Sequence, residues 1–365
     1  MKKRLVAVTA VVLTSLTLSG CFPTGEKDPN VSNGFSDGKY FEYSKDNLTA
    51  AFEIPEISES LPMRIRLKEK TFDAEECLKL FFSGKTVDNI WEGNYRSEDG
   101  SLLCVNSNSV DFCDGKTANL SAFQIEAPVN YQVALTIDDE YCREIFDIGN
   151  EINGFPSRGA IDRALDTAAA LGIAELDEPE IYAFSLDSLQ KIKESDLSFA
   201  FNDKYPLTED NEVYVLHFRQ LFNGVELAGV STSVKDSAGD TGSYPVDAPA
   251  IAAGVSGNDI FYFGAAPMYE SEFEVANGEP AKYDLNYALQ ELASYLDKAY
   301  FQKETEINKV KPVYFPVERN ALGYVEYALA WSFEGTAKQK SSDYRRDEYK
   351  IIVLAETGVI MNFKG

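Results

Sequence analysis

The chain contains a single histidine, His217, and that sets the outer limit of its chemistry. A zinc site of the H-E-x-x-H type needs two imidazoles on one helix face, and other histidine-rich metal centres need more, so both are excluded. A Ser-His-Asp triad would have to recruit His217. That residue follows Val213 and Val215 at strand spacing and shares their face, the position of a packed sheet residue. No G-x-S-x-G elbow occurs, and Gly84-Lys85-Thr86 lacks the upstream glycine of a phosphate loop because position 79 is lysine. Ser188-Leu189-Gln190-Lys191 fits S-x-x-K, but so does Ser36-Asp37-Gly38-Lys39, and no K-T-G accompanies either. Asp138-Asp139-Glu140 and Glu209-Asp210 with Glu212 offer oxygens to a calcium ion, without the ligand spacing or glycine of an EF-hand loop. They read as solvated surface. No catalytic residue, metal-ligand set or cofactor motif emerges, and the chain reads as non-enzymatic.

The other reactive side chains are five cysteines. Cys77, Cys104, Cys113 and Cys142 lack the paired C-x-x-C spacing of a zinc site. In an oxidising compartment they allow two disulfides in three connectivities. The Asn- and Ser-rich stretch from Val105 to Phe112 closes as a hairpin loop, which favours Cys104 with Cys113 and leaves Cys77 with Cys142. The alternative is four reduced thiols acting as small buried apolar groups.

Cys21 stands apart. Lys2, Lys3 and Arg4 precede an apolar run from Leu5 to Leu18, which is the layout of an export signal and falls short of the roughly 20 residues that span a bilayer. Leu18-Ser19-Gly20-Cys21 resembles the lipobox of bacterial lipoproteins, whose chemistry places a diacylglycerol on the cysteine sulfur and cleaves before it. The resemblance implies a membrane partner reached through acyl chains such as palmitate, on the extracytoplasmic face. Residues 1–20 are then signal peptide and 21–47 a lipidated flexible tether, rich in Gly, Ser, Asn and Pro up to about residue 40. The formal charge of −25 repels nucleic acid and anionic lipid, so nucleic-acid binding is set aside and a charged partner is expected to be basic.

The elements that position these residues read as an α+β chain. Residues 48–150 are expected to form a small disulfide-bearing α+β domain, with a helix from about Asp73 to Phe82 whose inner face is Ala74, Cys77, Leu78 and Phe81. Residues 151–275 and 276–365 are expected to repeat one plan, a helix followed by antiparallel strands. The first helix is capped at Ser157 and the second at Asp284, and Asn223-Gly224 marks a type I′ hairpin. Val325, Tyr327, Leu329, Trp331 and Phe333 alternate along a strand packed on the 284–300 helix. Pro312 and Pro316 point to an edge strand, since proline cannot donate to a ladder.

The stretch from His217 to Gly229, with Gln220 and Asn223-Gly224-Val225-Glu226 at its centre, is similar to the strand-turn-strand of the propeptide modules ahead of thermolysin-like peptidases and of PepSY modules. Glu226 stands where those modules carry proline. Ala355-Glu356-Thr357-Gly358 resembles their closing hairpin, and the helix-plus-sheet pairs resemble YycH/YycI-type extracytoplasmic regulators. The resemblance implies a non-catalytic module that binds or regulates an envelope or exported protein, with no cofactor. Gln220, Asn223, Gly224, Pro312 and Pro316 are the interaction candidates. The alternatives are a lipoprotein that captures a small ligand or wall fragment, and a hydrolase built on a carboxylate pair.

Overall fold

The protein is described here as a computed structural model covering residues 40–55, 61–114, 129, 140–195, 201, 203–204, 206–236, 244–257, 259–275, 285–299, 301, 304–320, 322–338 and 346–364. The export segment, Cys21, the tether to residue 39 and the helix cap expected at Asp284 lie outside these residues. The first strands are β1 (Tyr40–Lys45), β2 (Leu48–Glu53), β3 (Arg64–Glu69), β4 (Val87–Trp91), β5 (Asn94–Ser97), β6 (Leu102–Val105) and β7 (Val110–Cys113). Next come β8 (Glu180–Phe184), β9 (Val213–Arg219), β10 (Leu221–Phe222), β11 (Val225–Leu227), β12 (Val230–Asp236) and β13 (Tyr244–Val246). The last are β14 (Ala250–Ser256), β15 (Asp259–Ala266), β16 (Tyr269–Val275), β17 (Thr305–Arg319), β18 (Tyr324–Lys338), β19 (Arg346–Leu354) and β20 (Ile360–Lys364). The α-helices are α1 (Ala74–Phe82), α2 (Glu140–Ile145), α3 (Ser157–Ala170), α4 (Leu186–Lys193) and α5 (Leu285–Lys298).

This is a mostly-β protein with two large sheets, which corrects the expectation of an α+β domain followed by two helix-plus-sheet modules. The expectation paired each helix with the strands next to it in the chain. The strands instead pair across long separations, and the chain passes repeatedly between the sheets. The eight-stranded sheet, in the order β4-β5-β6-β7-β15-β14-β9-β8, is antiparallel throughout. One of its faces packs Leu103, Phe112, Leu216 and Phe263 against Cys77 and Phe82 of α1 and the alanines of α3. The other packs Val213, Val215 and Phe261 against Leu189 and Ile192 of α4. Covering both faces explains why its inner strands read as nearly continuous apolar runs, without the period-2 alternation that would have announced a sheet.

The twelve-stranded sheet is built on β17 and β18, antiparallel partners from Thr305↔Ala337 to Arg319↔Val325. Along its other edge β17 takes three parallel partners in turn, β2 at 305–307, β11 at 313–314 and β12 at 318–319. β17 is therefore central, and the edge position expected from Pro312 and Pro316 is corrected. Both prolines sit where one parallel partner has ended or another has yet to begin, so the missing N–H interrupts no ladder there. α5 lays Ala288, Leu289, Leu292 and Leu296 on Trp331, Phe333, Ile351 and Val353, while Val325, Tyr327 and Leu329 of the same strand face enter a neighbouring cluster.

Two further expectations are corrected. β1 begins at Tyr40 and pairs with β2, so ordered sheet starts inside the span read as tether. Cys77, Cys104 and Cys113 are free thiols, and no disulfide joins them. The hairpin between Cys104 and Cys113 does form, turning at Asn106–Ser109, but its register sets Cys104 opposite Asp111 and Cys113 opposite Leu102. The two cysteines are diagonal neighbours, about 7–8 Å apart on a regular ladder, too far to bond. The side chain of Cys142, the fourth disulfide candidate, lies outside the described residues.

Candidate functional site

Three crossings between the sheets occur at one end of the eight-stranded sheet: Arg219 to Leu221, Val246 to Ala250 and Ala266 to Tyr269. Register places those positions side by side, since Ala250 pairs with both Arg219 and Ala266, and Ala265 pairs with Val110. The sheets thus meet along a rim. Gln220 fastens it: its side-chain amide donates to the Tyr269 carbonyl and its carbonyl accepts from the Tyr269 amide, both at 2.9 Å. Gln220 is 4% exposed, so this interaction candidate is a buried clamp between β9 and β16. Asn223 and Gly224 take the positive φ angles of a type I′ turn, 49° and 76°, and are exposed.

A cleft of about 170 Å³ opens on the rim. Glu69 and Arg319 line it as an ion pair at 2.7 Å, with Asp247, Asn108, Ser109 and Tyr269 completing the polar wall. Tyr269 is 2% exposed and packs edge-on against Tyr327, their ring centroids 5.6 Å apart. Burial raises both phenols, and the Tyr269 hydroxyl also feels the charges of Glu69, Arg319 and Asp247. These hydroxyls stay protonated and can donate.

A chain of ion pairs also crosses the seam. Arg219, at the end of β9, contacts Glu226 of β11 at 3.2 Å; Glu226 also pairs with Lys311 of β17. Lys311 reaches Glu334 of β18 at 3.1 Å, and Glu334 reaches Lys350 of β19 at 3.3 Å and accepts from the Ser332 hydroxyl at 2.9 Å. Burial pushes the Glu334 carboxyl up, but Lys311 and Lys350 outweigh it and bring it down to about 2. Burial acts on Glu226 in the same way, and Lys311 and Arg219 hold it below the usual carboxylate range. The carboxylate that departs from the propeptide pattern at 226 is the hinge of this network.

At the same rim stands a feature the sequence reading missed. Among the described residues β4 is an edge strand, and at its end Ile90 and Trp91 are 40% and 66% exposed. Glu92-Gly93 turns the chain into β5, and Gly93 (φ 75°) accepts from the Val105 amide at 2.7 Å, which ties the hairpin tip to the start of the Asn106–Ser109 turn. A Cβ on Gly93 would come within 2.5 Å of the Val105 carbonyl oxygen, so only glycine fits there. The Glu92-Gly93 pair followed by Asn94 was the available signal, a turn between two short polar strands.

The remaining candidates are dispersed. His217 lies in β9 with its ring 5.3 Å from that of Tyr182. Burial raises the thiols of Cys77, to about 11, and of Cys104, so neither is a ready nucleophile. Trp331 is 4% exposed within the core under α5. Among the described residues no three His, Cys, Asp or Glu side chains converge as a metal site, and no helix is long and apolar enough to cross a membrane.

No protein family and no curated protein matches the chain. Among solved structures it is similar to the crystal structure of an uncharacterized protein from Eubacterium rectale ATCC 33656, with a TM-score of 0.57 and 13% identity over 89% of this chain and 94% of that one. At that identity the likeness extends to the fold alone.

Proposed function

We propose that the chain is an extracytoplasmic lipoprotein, cut before Cys21 and held by acyl chains on the cell membrane, that works by binding an exported or envelope protein along the rim between its sheets. The observation that carries the reading is the edge strand β4 with Ile90 and Trp91 exposed at its tip. A large indole left in water is a ready anchor for an interface, and tryptophan is among the residues that dominate binding energy. An edge strand offers unpaired backbone groups for an incoming segment, which side chains such as Trp91 then select. The formal charge of −25 favours a basic partner. Lipidation at Cys21 supplies the address, and binding needs no chemistry of its own.

Crosslinking the lipidated protein in intact cells, followed by mass spectrometry of its neighbours, tests this. The doubly substituted Ile90→Ser, Trp91→Ala protein is expected to lose the partner. Val359→Ser, at a residue 50% exposed in the turn between β19 and β20, is expected to keep it. Equal recovery with all three proteins overturns the reading.

A further inference from the structure

We propose that the rim cleft is a receptor for one lysine ammonium group, carried by the protein partner that docks on β4. The inference rests on the proposed function and adds a chemistry to it. Size comes first. About 170 Å³ gives room for a side chain.

Charge selects the kind of side chain. Glu69 and Arg319 neutralise each other across 2.7 Å. Asp247 has no partner among the described residues and leaves the cleft with a surplus negative charge in an already acidic body. A cation is therefore drawn in, and a carboxylate or phosphate is turned away.

Hydrogen bonding narrows it further. An ammonium group brings three donors and no acceptor. The cleft offers the Asp247 carboxylate, the Asn108 amide oxygen and the Ser109 hydroxyl as acceptors. The Ser109 hydroxyl already accepts from the Asn106 amide at 3.1 Å, and that bond orients it.

Position links the cleft to the hairpin. Val105 is bonded to Gly93 at the tip, and the Asn106–Ser109 turn that lines the cleft follows it directly. From β4 to β7 is three strand spacings, about 14 Å, which four or five extended residues cover. One partner segment can seat on Trp91 and still place a lysine in the cleft.

The test titrates the full-length lipidated protein in detergent with N-acetyl-lysine methylamide, and separately with N-acetyl-norleucine methylamide, read by ligand-observed NMR. Binding of the lysine probe only is expected, lost at least tenfold in Asp247→Asn and unchanged in Trp91→Ala. Asp247 is exposed, so its substitution leaves the fold intact. Equal binding of norleucine, no binding of lysine, or full binding by Asp247→Asn overturns the assignment. If the lysine probe fails while the β4 double substitution still loses the crosslinked partner, the cleft assignment falls and the rim reading stands. If the probe binds through Asp247 while that substitution keeps its partner, the docking on β4 falls instead.

Discussion

Gln220 shows how one residue can be legible in type and opaque in role. Its position in a strand-turn-strand pattern suggested an exposed contact, yet its amide is spent on both backbone groups of Tyr269. Gln220→Leu is therefore expected to leave a buried N–H and a buried C=O unpaired, and orphaning such groups costs about 1–3 kcal/mol each. A fall of about 2–6 kcal/mol in urea unfolding is expected, and an unchanged midpoint would show that the clamp contributes nothing. No local rule reveals the clamp, because Tyr269 lies 49 positions away in the chain. Asn223-Gly224 was legible because a type I′ turn is fixed by two adjacent residues. Trp91 was missed for the opposite reason: β4 has no buried side chain, so no periodicity marks it.

At the scale of elements, helices were easier to read than sheets. α1 starts with Asp73 accepting from the Glu76 amide at 2.9 Å, and α5 buries the Leu and Ala stripe that its 3.6-residue period displays. Strands β17 and β18 are 15 residues each, and their alternation was visible, but their partners were not. Which strand lies beside β17 is decided by contacts such as Glu226 with Lys311, 85 positions apart. That network makes a pH prediction. The Glu334 and Glu226 carboxyls are depressed in the folded state, Glu334 to about 2, against about 4.3 for an unfolded glutamate. Their stabilisation is complete above the unfolded value and is lost as pH falls towards 2. The urea midpoint is expected to drop between pH 5 and pH 2.5, and Glu334→Gln is expected to flatten that drop while lowering the midpoint at pH 6. An equally steep acid response in Glu334→Gln would remove the carboxylate from the account.

Across the whole molecule the two sheets are threaded by one chain, so neither half is a self-contained module, and a chain docking as proposed at the rim between them would meet both. The proposed anchor stands 19 residues before β1, whose first residue is Tyr40. Acyl chains contribute about 0.8 kcal/mol per buried methylene, so two or three of them hold the body at the surface. Tethering both partners to one membrane raises their effective concentration without adding a contact. Cys21→Ala is therefore expected to take up no fatty-acid label, to escape cleavage before residue 21 and to lose most of its crosslinking to a membrane-bound partner in cells. Its binding to the same purified partner in detergent is expected to be unchanged, because the β4 tip and the cleft are untouched. A wild-type protein that acquires no lipid label in its native host would refute the anchor. Equal crosslinking by the wild type and Cys21→Ala would show that the rim holds its partner without help from the membrane.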